Sequence, residues 1–290
     1  MVTDSTSSLD HRVCAQAGVR VVPLQVVIDD VSRPEALSAG SDGDPSAVTP
    51  AEVAAALRAG RRVTTSRPAP EAFSAAYAEL AAAGHDAVVS VHLSRAMSST
   101  VEAARLAAAH APVPVTVVDS NTIAMAAGFA VLSGADAASR GATAADVARL
   151  VQRRAEKAEM YFSVPSLEFL RRGGRIGPAA ALLGSALSVK PLLTLADGAI
   201  RPYERARTLA RAHARLEELA AGAIATAVER TAGPDVAVHH LDDQVGADRL
   251  AERLAARLPG SAHLLVAELS AVLGVHVGPG TLGVVVSPWV

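Results

Sequence analysis

Short apolar runs alternate with helical patterns along the first 158 residues, and this alternation restricts the fold more than any other feature of the chain. Strands that recur between amphipathic helices pair in parallel, and a parallel sheet needs helices over both faces. Val2-Thr3 reads as the tail of a first strand that ends in Asp4-Ser5-Thr6. Residues 19–28 form a second apolar run, broken by Pro23, and residues 87–93 and 113–118 are further strands. Residues 29–50, rich in Gly, Ser, Asp and Pro, read as a long loop. The helix that follows has Thr49 at its cap, Pro50 at the first helical position, Glu52 for a capping box and Gly60 as its stop. Pro70 opens another helix, with Phe73, Tyr77 and Leu80 on one face. A helix runs to residue 109, residues 122–139 make an apolar helix, and Thr143 caps an amphipathic one.

After residue 158 the texture changes. Residues 160–164 read as a strand and 166–172 as a short helix ended by Gly173-Gly174. Residues 179–187 read as an apolar helix. Residues 189–195 and 200–203 flank Asp197-Gly198, a hairpin signal. A long Arg-rich helix is expected over 206–221, strands over 236–241, 263–268 and 282–287, and a helix over 247–258. The chain therefore divides into an α/β unit, 1–158, three-layered around a mainly parallel sheet, and an α+β unit, 159–290, with a mixed sheet.

A length of 290 residues suits two domains. The balance of 27 basic against 29 acidic residues, net −2, gives no sign of a nucleic-acid or anionic-membrane partner. Mean hydropathy is +0.29, much of it alanine. The two longest uncharged apolar stretches, 123–134 and 176–189, fall short of the roughly 18 residues of a membrane span. Met1-Val2-Thr3-Asp4 has neither the basic nor the apolar region of a secretory signal, so the expected location is cytoplasmic. The single cysteine, Cys14, excludes a disulfide framework and any multi-cysteine metal site.

Gly278-Pro279-Gly280-Thr281-Leu282-Gly283 matches a dinucleotide-binding glycine pattern, but a strand follows it where that motif needs a helix, so it reads as a turn. His239 and His240 are adjacent on a strand and point to opposite faces, so they do not chelate together. No metal or cofactor is implied. Three hydroxyl-rich segments stand out: Thr64-Thr65-Ser66, Ser94 with Ser98-Ser99-Thr100, and Asp119-Ser120-Asn121. The last two lie just beyond strand ends, where parallel sheets bind ligands. Either they cap helices or they converge as neutral donors for an anion. Arg171-Arg172-Gly173-Gly174-Arg175 is a helix end with a tight basic loop. Arg207, Arg211 and Arg215 form a stripe that is either solvated or faces an acidic partner.

In order along the chain, these segments resemble the DegV family. Val2-Thr3-Asp4-Ser5-Thr6 is similar to its opening I-V-T-D-S-T, Val22-Pro23-Leu24 to its V-P-L strand, and Thr65-Ser66-Arg67-Pro68 to T-S-Q-P. Residues 90–100 resemble S-I-H-I-S-S-x-L-S-G-T, and Val118-Asp119-Ser120 matches V-D-S. Residues 167–176 follow L-x-Y-L-x-x-G-G-R-I, Lys190-Pro191 the K-P strand, and residues 275–280 V-x-H-x-G-P-G. The resemblance implies two α/β domains with a long-chain fatty acid in a tunnel between them. It implies no catalysis by this chain, because a separate fatty acid kinase subunit phosphorylates the carboxylate to an acyl phosphate. It places Thr64, Thr65 and Ser94 on the carboxylate, His276 in support, and Arg175 at the pocket mouth near the kinase. The chain departs from the pattern at Arg67, Arg95 and Ser99, and Arg95 would add a charge near the carboxylate.

Two other readings stand beside the carrier. One is a small-molecule hydrolase or phosphotransferase using Ser94 and His276 with Asp4 or Asp119, a set that geometry decides. The other is a regulatory module without a ligand.

Overall fold

The computed structural model describes residues 1–37, 46–182, 189–260 and 262–290. In chain order its strands are β1 (Val2–Asp4), β2 (Arg20–Val22), β3 (Gln25–Ile28), β4 (Val31–Pro34), β5 (Val63–Ser66), β6 (Val88–His92) and β7 (Val115–Asp119), then β8 (Glu159–Ser163), β9 (Lys190–Ala196), β10 (Ala199–Ala206), β11 (Pro234–Leu241), β12 (His263–Glu268) and β13 (Thr281–Pro288). Its α-helices are α1 (His11–Gln16), α2 (Pro50–Arg58), α3 (Pro70–Ala82), α4 (Thr100–Ala108) and α5 (Ala124–Ser139), then α6 (Ala144–Lys157), α7 (Glu168–Arg172), α8 (Leu209–Arg230), α9 (Gln244–Ala255) and α10 (Ala271–Val277).

The alternation does produce a parallel sheet, in the order β2-β1-β6-β7. Side chains alternate across it. Val2 and Val88 meet Phe73 and Tyr77 of α3 and Ala103 of α4 on one face. Val89, Val91 and Val118 meet α5 and α6 on the other. The second sheet, β10-β9-β8-β13-β11-β12, is mixed: only β11 and β12 run parallel. Leu216 and Ile224 of α8 and Leu250 and Leu254 of α9 cover one of its faces. Its other face gives Met160, Phe162, Ala237 and Val285 to the apolar cluster that holds α5 and α6. The two sheets thus share their middle helical layer in a two-domain α/β fold.

Helix α5 fits between two sheets because its side chains are small. A Cβ on Gly128 would lie 2.7 Å from the Ser7 carbonyl, and one on Gly134 would lie 2.6 Å from Val151 Cγ2. Its alanines and glycines serve close packing. Across the shared layer, Arg154 of α6, only 7% exposed, pairs with Asp235 of β11 and donates from Nε to Ser287 Oγ of β13 at 3.1 Å.

Several expectations need correction. Residues 29–50 are not simply a loop, because β4 forms a hairpin with β3. With β5 these strands make a separate antiparallel sheet, and α2 packs on it. The Arg-rich helix runs on to Arg230, well past residue 221, because Leu216, Ala220, Ile224 and Ala227 stay in register with the sheet. Of the apolar helix expected over 179–187, the structure shows 3₁₀ turns at Gly177–Leu182, and the rest lies outside the described residues. Thr49 caps α2 by accepting from the Glu52 N–H, but the Glu52 carboxylate turns to Arg33, so the reciprocal bond of a capping box is absent. Helices α1 and α10 were not anticipated.

Candidate functional site

The site is assembled around α10. Ser270 caps it by accepting from the Leu273 N–H, all seven of its residues are buried, and Gly278 at φ 79° ends it. Its apolar stripe packs on the small sheet and α2, which aims the last turn at β5. There His276 Nε2 meets Thr65 Oγ1 at 2.9 Å. Pleating turns Thr64 the other way, where it is exposed at the rim of the same cleft.

The α7 turn forms the opposite wall. A Cβ on Gly173 would stand 2.1 Å from His276 Nδ1, so only glycine lets the imidazole lie there. Gly174, at φ 69°, then reverses the chain. Arg175 donates from Nε to the Met97 carbonyl at 3.0 Å and from Nη1 to the Gly173 carbonyl at 2.6 Å. Its guanidinium therefore ties the α7 loop to the turn after β6.

His276 lies on the wall of three adjoining spaces. An apolar cavity of about 50 Å³ is lined by Met97, Ile123, Phe162, Leu273 and Val277 among others. A polar cleft of about 550 Å³ is lined by Arg61, Arg62, Thr64, Thr65, Arg172 and Arg175. A third space of about 40 Å³ shares Met97 with the cavity and Thr65 and Arg175 with the cleft, and also touches Arg67 and Ser98. Three of these arginines are already paired: Arg61 with Asp29, Arg62 with Asp30, Arg172 with Glu168. Burial, and secondarily the Arg175 charge, push the His276 imidazole down to about 4, so it is neutral near pH 7. Its Nδ1 is buried without a hydrogen-bond partner. Orphaned polar atoms of this kind are costly and rare, and this one lies against Gly173.

Thr65, His276, Arg175 and the rim residue Thr64 thus come together. Ser94 does not join them by a hydrogen bond. It is fully buried, not near the surface, and its Oγ accepts from the Ala96 N–H at 3.2 Å. The β9–β10 turn covers it: a Cβ on Gly198 would be 2.4 Å from Ser94 Oγ. Arg95 turns outward, 67% exposed, with Nε 3.5 Å from Asp119, so it adds no charge at His276.

The bonded Ser-His-Asp set lies elsewhere. His92 Nδ1 meets Asp4 Oδ2 at 3.0 Å, Ser90 Oγ meets His92 Nε2 at 2.7 Å, and Tyr77 donates to Ser90 at 2.9 Å. Thr6 and the Leu93 N–H also donate to Asp4. Every member is essentially inaccessible, and none lines a space described above. This set orders the strand ends and offers no reachable nucleophile. Pairing of β1 with β6 creates it, a juxtaposition that sequence spacing does not reveal. Asp4 is engaged in this set, and Asp119 with Arg95 and the Asn121 N–H, both away from His276. The described residues contain no cluster of metal-ligating side chains, and no helix among them is long and apolar enough to cross a membrane.

These features define a two-domain α/β protein whose polar cleft and apolar cavity meet at one histidine. The chain belongs to the DegV family: the family model described as "Uncharacterised protein, DegV family" matches residues 1–288. It is 48% identical to a DegV domain-containing protein of Streptomyces coelicolor over 99% of this chain and 97% of that one. Among solved structures, a DegV family protein from Thermus thermophilus described as fatty-acid binding superposes with a TM-score of 0.87 at 35% identity, covering 99% of this chain and 98% of that one. DegV of Bacillus subtilis, described as a fatty acid binding protein, gives 0.85 at 29% identity over 99% and 98%.

Proposed function

We propose that this chain binds a long-chain fatty acid between its two domains, divided near residues 158 and 159, and presents the carboxylate to a separate kinase that forms an acyl phosphate. The carrying observation is His276: bonded to Thr65, it lines both an apolar cavity and a polar cleft. Transfer of each methylene from water contributes about 0.8 kcal/mol, which favours an enclosed tail. A buried carboxylate needs donors, and Thr65 and His276, with Thr64 at the rim, supply neutral ones. Neutral donors leave an oxygen able to attack a phosphoryl group. Ser94 is the fourth member of the proposed set, and Arg175 stands at the mouth for the kinase. In this reading the chain is a cytoplasmic carrier without catalysis, cofactor, nucleic-acid partner or stable membrane insertion.

Native mass spectrometry after gentle purification tests the reading. A co-purifying mass of about 250–300 Da, a small-ligand size, that exchanges with added fatty acid is expected. A protein that neither carries nor takes up any acyl chain would sink it.

A further inference from the structure

Glu35 follows β4 and is 2% exposed. No Lys or Arg among the described residues pairs with it; Arg33 beside it is turned to Glu52. Instead its carboxyl group ties three segments together. Ser5, just after β1, donates its hydroxyl to Oε1, and that same Ser5 oxygen accepts the Leu24 N–H at 2.8 Å. Val272, in the first turn of α10, donates its N–H to Oε2 at 2.8 Å, and the Ser270 hydroxyl is a further donor. The Glu35 N–H itself bonds the Leu24 carbonyl at 2.9 Å. A carboxyl group in the first strand's subdomain therefore fixes the start of the helix whose other end carries His276.

We infer that Glu35 is a positioning residue and a proton-operated latch: protonated, it holds α10 and hence His276 closed on the cavity, and ionised, it eases α10 open.

One charged neighbour reinforces this. Asp4 on β1 is near enough to oppose a negative charge. Asp10 at the α1 cap and Glu268 on β12 line a pocket of about 250 Å³ together with Ser5 and Ser270, the two hydroxyls that hold Glu35. Helix α10 presents only Ala271, Val272 and Leu273 in its first turn. Among the described residues no cation offsets a carboxylate there, although three donors do. Burial raises the carboxyl to about 7, against which Ser5, Val272 and Ser270 pull down and Asp4 pushes up. The sign follows from linkage. With α10 open, Glu35 meets water and ionises near the ordinary value of 4.5, while with α10 closed it holds its proton to about 7. Rising pH across that interval favours the open form, and above it the effect levels off.

Two measurements on the full chain test the latch. In hydrogen exchange of the amides of residues 272–277, corrected for intrinsic rates, wild-type opening should rise at least about tenfold from pH 5.5 to 7.5. Glu35→Gln, fixed in an uncharged form, should stay flat. Ser5→Ala removes a donor that favours ionisation and should move the rise to higher pH, which keeps the test open if Glu35→Gln folds poorly. Identical pH profiles for wild type and both variants would overturn the latch. The second measurement rests on the proposed carrier function: the release rate of a fluorescent long-chain fatty acid should rise with pH in wild type and stay flat in Glu35→Gln. Release rates that track each other in the two proteins would overturn control of the site by Glu35. If no protein binds the probe, the carrier reading fails and the exchange profiles decide the latch.

Discussion

His92 and His276 are both buried and both bonded to a hydroxyl, yet their networks end differently. Around His92 every partner is fixed. The acceptor-only Asp4 carboxylate makes Nδ1 the donor, Tyr77 donates to Ser90, and Ser90 has its hydrogen left for Nε2. Phe73 packs edge-on at 4.9 Å, and no member of the group lines the three spaces beside His276. Around His276 only Thr65 is supplied, Nδ1 is left over, and three spaces adjoin it. A closed network contributes to stability; His276, under the proposed function, serves a ligand that arrives. The two regions should therefore respond to mutation in opposite ways, one in folding and the other in binding.

The largest effect belongs to the closed network. Asp4→Ala removes the sink for His92, the Thr6 N–H and hydroxyl, and the Leu93 N–H at once. Breaking a buried, fully bonded pair from one side costs about 3–5 kcal/mol, and urea unfolding should show a loss of that size. A loss under about 1 kcal/mol, the scale of an exposed pair, would mean that the network does not hold these strand ends.

Acid should expose the histidines that lack a counter-charge. Burial lowers both His239 and His276 from 6.5 to about 4. His239 Nε2 accepts from the Met125 N–H at 3.3 Å, so a proton there displaces a bond to α5. Both groups are neutral when folded, while the unfolded chain protonates them at 6.5; their contribution is complete above that pH and is lost as pH falls toward 4. Each shift corresponds to about 3 kcal/mol at full protonation of the unfolded chain. Glu35 slopes the other way in the same interval, since its raised value makes the folded chain hold the extra proton. The separable outcome is a variant difference: His239→Gln should flatten the acid limb of stability against pH, and Glu35→Gln should steepen it. Unchanged limbs in both would show that neither group titrates as its burial requires.

The open network should respond in affinity. His276→Ala should weaken fatty-acid binding by about 1–3 kcal/mol, the cost of a charged acceptor short of one donor, with little change in unfolding midpoint. Gly173→Ala should reproduce much of this with the histidine still in place, because its Cβ falls on Nδ1 and must push the ring aside. Isothermal titration with one long-chain acid measures both. Full affinity in both variants would detach His276 from the head group and break the contrast with His92.

The parallel sheet was legible because its strands and helices are local patterns, and Asp197-Gly198 declared its hairpin through two residues at positive φ, 52° and 74°. The small sheet was not, since Val31-Ser32-Arg33-Pro34 is an exposed or half-buried strand with no alternation to show. Helix α10 was hidden by its uniform burial, which erases the helical period. At the site, Thr65 and His276 were named from the family pattern, and a contact between residues 211 positions apart had no other sequence signal. Glu35 sat inside what read as loop. Gly173 was visible as half of a Gly-Gly turn, but its reason, room for the imidazole, is tertiary.

The smallest effect tests a departure from the family pattern. Arg95 stands where serine is usual, on the turn that carries Ser94, and its charge would matter greatly if it faced the head group. It faces Asp119 instead, across 3.5 Å and 67% exposed. Asp119 keeps two backbone donors without it, the N–H groups of Arg95 and Asn121. Exposed ion pairs of this kind contribute about 0.2–1 kcal/mol. Arg95→Ser should accordingly shift the unfolding free energy by less than about 1 kcal/mol and leave fatty-acid affinity where it was, even at low ionic strength, where a long-range charge would show itself most. A loss of affinity that grows as salt is removed would place the guanidinium in the field of the carboxylate. The open network would then extend from His276 to the turn above β6, and its contrast with His92 would be one of charge as well as of unmet hydrogen bonds.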